Sequence, residues 1–162
     1  MIEAVIYGDP VLRQSATRIE EIDGDVREIH DLMLATLKSY GTHGAAIAAN
    51  QVGYAIAMFV YWDLDSGDAR TVINPSLTLG DGKWDYGEGC LSLPGVYSGV
   101  VRPNHVLLTG TDLEGQPLRI EASEFLGRVF QHEYDHLQGK LFIDKLPPGK
   151  KKDAAMNQLK QS

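Results

Sequence analysis

The segment Gln131-His132-Glu133-Tyr134-Asp135-His136 sets two imidazoles four residues apart, with a carboxylate directly after the first. On a helix, residues at that spacing stand one above the other on a single face, so His132 and His136 can share one metal ion. Glu133 can then exchange protons with water activated by that ion. This is the HExxH pattern of metal hydrolases, and it leaves a tetrahedral ion short of a third protein ligand. Cys90, the sole cysteine, is a candidate; it lies 42 residues upstream of His132, in Glu88-Gly89-Cys90-Leu91-Ser92. A lone cysteine is more often a small buried apolar residue, and only the tertiary fold can bring this one to the helix.

The elements that must position these groups can be read from periodicity. Phe125, Val129, His132 and His136 recur at steps of four, three and four, so a helix capped by Ser123 and closed by Gly139 carries both imidazoles on its apolar face. Upstream, Val26, Ile29, Met33, Leu37 and Tyr40 predict an amphipathic helix from Asp25 to Tyr40, with Asp23 or Asp25 to cap it and Gly41 to stop it. Asp9-Pro10 suggests a short turn or helix near the start. Gly41 to Gly53 is a run of small residues that reads as a loop where backbone can approach a ligand closely. Residues 55 to 62 and 71 to 73 read as strands, strands continue to mid-chain, and 105 to 109 with 117 to 120 predict a hairpin. Helix, strands, then helix without regular alternation implies an α+β fold, with a mainly antiparallel sheet around the helix of the metal motif.

The chain of 162 residues fits one domain, and 43% apolar with 23% charged residues is ordinary for a globular protein. No apolar run is long enough to span a bilayer and no signal peptide is evident, so a cytoplasmic, reducing location is expected. A net charge of −7 argues against general nucleic-acid binding. The charge is uneven: residues 145 to 162 hold five lysines against one aspartate, a net +4, so residues 1 to 144 carry −11. The basic segment is expected to be a solvated, fraying tail, or else to dock on an acidic or phosphate-rich partner. His30, His43 and His105 read as surface or loop residues.

Glu88-Gly89-Cys90-Leu91-Ser92, Gln131 to Leu137 and the Gly44 to Gln51 loop occur in the order and spacing of the peptide deformylases, which the chain resembles over almost its whole length. Asp9-Pro10-Val11-Leu12, Leu91-Ser92-Leu93-Pro94-Gly95, Val101-Arg102-Pro103 and Gly139 to Asp144 extend the likeness. The resemblance implies removal of formate from the N-formylmethionine of new polypeptides by a divalent metal, usually Fe(II) in the cell, although Zn(II), Ni(II) or Co(II) suits the same donors. It implies Cys90, His132 and His136 as ligands and Glu133 as proton carrier. It further implies the Gln51 amide and the Leu91 backbone N–H as oxyanion donors, with Ala45 and Gly89 pairing to the substrate backbone. Glu88 and Arg102 would form a structural ion pair, and Phe125 and Val129 would wall a methionine pocket or simply pack in the core. A monomer acting on nascent chains is expected, with ribosome association through Lys150 to Lys160 a further implication. One departure stands out: Ala46 occupies a position usually glycine in the family, where a positive φ would be strained by roughly 1 kcal/mol.

Two other classes fit less well. A zinc peptidase would take a further His or Glu downstream as ligand, and neither occurs after His136. A nucleotide-binding module on the Gly44 to Gly53 loop lacks both a preceding strand and a GxGxxG or GKS/GKT pattern. A catalytically retired deformylase homologue would account for Ala46 in another way.

Overall fold

Helix α1, Gly24–Ser39, begins where the Asp23 side chain accepts a hydrogen bond from Val26 N, satisfying one of the donors that a helix start leaves open. Its Met33 and Leu37 are fully buried against Ile47, Met58 and Ile73. The computed structural model describes residues 3–161. A 3-10 turn at Pro10–Arg13 precedes α1, capped by Asp9 as the Asp-Pro pair predicts.

Among the described residues seven strands follow: β1 Ala46–Ala48, β2 Met58–Trp62, β3 Ala69–Leu79, β4 Lys83–Cys90, β5 Leu93–Pro103, β6 Val106–Thr111 and β7 Pro117–Ala122. One sheet has the order β1-β2-β3-β6-β7 and the other is the β4-β5 pair; every pairing is antiparallel. Helix α2, Glu124–Leu137, carries the metal motif. Its Val129, Phe130 and Leu137 pack on Phe59, Tyr61, Val72 and Leu108 of the larger sheet. The α+β architecture around this helix is therefore as expected.

Several local expectations change. The small-residue run contains strand β1, which pairs Ala46, Ile47 and Ala48 with Tyr61, Val60 and Phe59. Alanine carries little strand signal, so the partner strand decides this segment's state. Strand β3 runs six residues beyond the expected end at Ile73, because Asn74 at φ 52 and a register shift between Ile73 and Ser76 let it bend past Pro75 and resume pairing. Ser123 stands at the N-cap of α2 but its side chain makes no capping bond; Asn104 Oδ1 accepts from Glu124 N at 2.9 Å instead.

The basic segment expected to fray forms helix α3, Lys150–Gln161, docked on β5. Ala155 is buried there, with Met156 and Leu159 packing on a cluster that includes Leu93, Val96 and Phe142. His43 and His105 are exposed as expected, whereas His30 is not a surface residue: its side chain is 11% exposed and its Nε2 lies 2.8 Å from Thr71 Oγ1.

Candidate metal centre

The four-residue step on α2 places His132 Nε2 and His136 Nε2 3.3 Å apart. Cys90 comes from the end of β4, where the β4-β5 register shifts between Glu88 and Cys90 and the chain reverses through Leu91 and Ser92. Its Sγ lies 3.3 Å from His136 Nε2, and one donor atom from each of the three residues falls within 4.8 Å of the others. Such separations suit atoms that are each about 2.0–2.3 Å from one central ion. A Cβ at Gly89 would stand 2.5 Å from Cε1 of the exposed Tyr97 ring, so a larger residue there requires that ring to move.

The shell around these donors sets their protonation. Glu88 receives two bonds from Arg102, at 2.6 and 3.0 Å, so the expected ion pair is present. It also lies 2.9 Å from His132 Nδ1 and accepts from Arg128 at 2.6 Å. Burial opposes the Glu88 charge, but the bonds from His132 and Arg102 outweigh it and hold the carboxyl down at about 2. An ionised carboxylate only accepts, so His132 carries a proton on Nδ1. Burial opposes a second proton, but bonds to Cys90 and Glu88 hold the ring well above the usual imidazole range, so Nε2 is free to ligate once it gives up its own proton. Burial, aided by the charges of His132 and Arg102, pushes His136 well below the usual imidazole range and keeps it neutral. Two imidazole nitrogens and one cysteine sulfur suit a divalent, borderline-soft ion.

Glu133 is buried beside the donors, its Oε2 3.9 Å from His132 Nε2 and its Oε1 without a partner. Burial pushes its carboxyl up to about 7, against the opposing pull of His132. Gln51 is also buried, and its Oε1 accepts from Ala48 N at 2.9 Å. That bond fixes the amide's orientation, so Nε2 faces Ser92 Oγ at 3.1 Å and Cys90 Sγ at 3.6 Å. A cleft of about 620 Å³ opens over these groups, lined by Ala45, Gln51, Gly89, Leu91, His132 and Glu133 among others. Phe125 and Val129 line it too. Of the candidate ligand, catalytic and substrate-binding residues from the sequence, all but His136 line this cleft, and His136 meets Cys90 and His132 at 3.3 Å. Ala46 lies in β1 and is absent from the residues with positive φ, so its methyl strains nothing; it is buried near Tyr61 and Val129.

Sequence reasoning missed Ser92, Asn50, Arg128 and Asp135. Asn50 Nδ2 donates to His136 O at 2.7 Å, and Asp135 accepts from Arg102 at 2.8 Å. Arg128 had a signal in the sequence, since it sits one turn before His132 among apolar neighbours where a charge requires a partner.

Two imidazoles and a thiolate about one point, with a buried carboxylate alongside, are the donor set of a mononuclear metal hydrolase. The family model described as polypeptide deformylase matches residues 1–152. A peptide deformylase of Endomicrobium trichonymphae is 41% identical over 147 residues, covering 90% of this chain and 86% of that protein. One from Clostridium botulinum is 44% identical over 140 residues, covering 86% and 92% respectively. Among solved structures, a peptide deformylase from Legionella pneumophila superposes with TM-score 0.89 at 32% identity, covering 99% of this chain and 94% of that one. The Synechococcus elongatus peptide deformylase in complex with actinonin gives 0.88 at 36% identity, covering 98% and 86%. The chain belongs to the peptide deformylase family.

Proposed function

We infer that this chain hydrolyses the formyl amide of N-formylmethionyl peptides, releasing formate and a free methionine amine. The convergence of Cys90, His132 and His136 beside buried Glu133, in a member of this family, carries the reading. Cys90, His132 and His136 would hold one divalent ion, Fe(II) foremost, with Zn(II), Ni(II) or Co(II) compatible with the same donors. When bound, the ion supplies Lewis acidity to the formyl carbonyl and to water.

The chain's own groups do the rest. Ala45 and Gly89 pair with the extended substrate backbone, a mode in which main-chain bonds supply affinity and pockets supply selectivity. Phe125 and Val129 wall the pocket for the methionine side chain. As water adds to the formyl carbon, Glu133 takes its proton; as the C–N bond breaks, Glu133 returns a proton to the amine. The Gln51 amide and the Leu91 N–H donate to the carbonyl oxygen as negative charge develops there. Gln51 is already oriented by Ala48, so little reorganisation is required.

We take residues 1–162 as one catalytic unit acting as a monomer in the cytoplasm, with the lysines of α3 directed towards the ribosome. Among the described residues no helix is long and apolar enough to cross a membrane. Ala46 is unstrained and lines the cleft, so its methyl narrows the groove rather than distorting it. Formate release from a formyl-Met tripeptide under anaerobic conditions, with the iron, nickel and zinc forms compared, tests the function. Formate is expected, and its absence with every metal form would overturn the reading.

A further inference from the structure

We propose that Arg128 is a positioning residue that sets the distance between Cys90 and the histidine pair; this rests on the metal site proposed above. The two parts of the ligand set belong to different bodies. His132 and His136 ride on α2, while Cys90 ends β4 in the separate two-stranded sheet. They are joined only through β5, β6 and β7 along the chain, so side-chain contacts must set their register.

Arg128 makes that connection from one turn before His132. Its guanidinium donates to Val100 O of β5 at 2.7 Å, to Trp84 O of β4, and to Glu88 at 2.6 Å. One side chain of α2 therefore grips both strands of the hairpin and the carboxylate that orients His132. The group is 4% exposed, and its carbon lies 5.5 Å from the Trp84 ring centre and 5.9 Å from that of Tyr86. Trp84 and Tyr86 stack on each other at 4.5 Å, so the planar cation is clamped from the β4 side as well. A planar fork with several donors can hold three acceptors on separate elements at once; a lysine ammonium on a flexible stem fixes direction far less well. Arg102, the other cation on Glu88, makes a second such link: from β5 it bonds Glu88 of β4 and Asp135 of α2. Arg128 differs in holding both strands from α2 itself, one turn before His132.

The test is cobalt retention by the full chain, read by chelator competition. The thiolate-to-cobalt absorption band is recorded alongside, and thermal unfolding is measured in the metal-free form. R128L is expected to release cobalt at least tenfold faster and to weaken the thiolate band. A role in packing alone would lower the unfolding temperature and leave both readouts unchanged, and that result overturns the proposal. R128K should fall between R128L and the unaltered chain. If R128L fails to fold, R128K decides, and release from it at the unaltered rate overturns the proposal. Formate release by the unaltered chain scores the functional reading separately; its absence would leave the cobalt comparison readable.

Discussion

Glu88 Oε1 and His132 Nδ1 lie 2.9 Å apart, across a tertiary contact that spans 44 positions of sequence. Through it the ion-pair cluster around Glu88 orients the imidazole proposed to bind the metal. Arg102 and Arg128 are each at least nine-tenths buried, so the carboxylate also compensates two cations that have left water.

Glu88→Ala should consequently fail in two ways at once. Metal retention should fall roughly 10- to 100-fold, as it does when a group orienting a metal-bound histidine is removed. Stability should fall by about 3–5 kcal/mol, because buried guanidinium charge loses its partner. Chelator competition and urea unfolding read the two effects.

Glu133→Gln keeps the shape of the side chain and removes its ability to take a proton. Formate turnover is expected to fall about 10²- to 10⁴-fold while metal content stays at the level of the unaltered chain. Undiminished turnover would remove Glu133 from its role.

Cys90→Ser exchanges a soft thiolate for a poor hydroxyl ligand beside two unchanged imidazoles. The variant should fold and lose most of its metal on desalting, which elemental analysis can follow. Metal content equal to that of the unaltered chain would exclude Cys90 as a ligand.

Gln51→Leu tests the oxyanion donor. A loss of about 10²- to 10³-fold in turnover is expected with metal retained. Ala48 N also loses its 2.9 Å acceptor, so a further destabilisation of about 1–3 kcal/mol should appear in urea unfolding.

Acid stability should report the pairing of Asp144. Burial disfavours its charge, but bonds from Arg13 and from Leu141 N outweigh that and hold its carboxyl below the usual range. The folded value lies beneath the unfolded one, so the stabilisation is complete above about pH 4 and fades as pH falls through the folded value. Asp144 is partly exposed, which limits the effect to about 1 kcal/mol or less after screening by solvent. Asp144→Asn should be less stable than the unaltered chain at neutral pH and equal to it at strongly acidic pH, as urea midpoints across that range would show.

The local chemistry of this protein was legible in its residues. The period of α2 put His132 and His136 on one face before any tertiary contact was known, and Asp23, Gly139 and the Asp9-Pro10 pair marked their own caps and turns. These features depend on neighbours within a few positions, and a helical repeat or a capping side chain expresses them directly. The state of Ala46–Ala48, the course of β3 past Pro75 and the docking of α3 depended on partners far along the chain, to which composition is blind. The approach of Cys90 to His136, the turn of Gln51 towards the thiolate, and the grip of Arg128 on two strands belong to the same class. Each is a distance between elements, set by how whole faces pack, and no spacing within one element contains it.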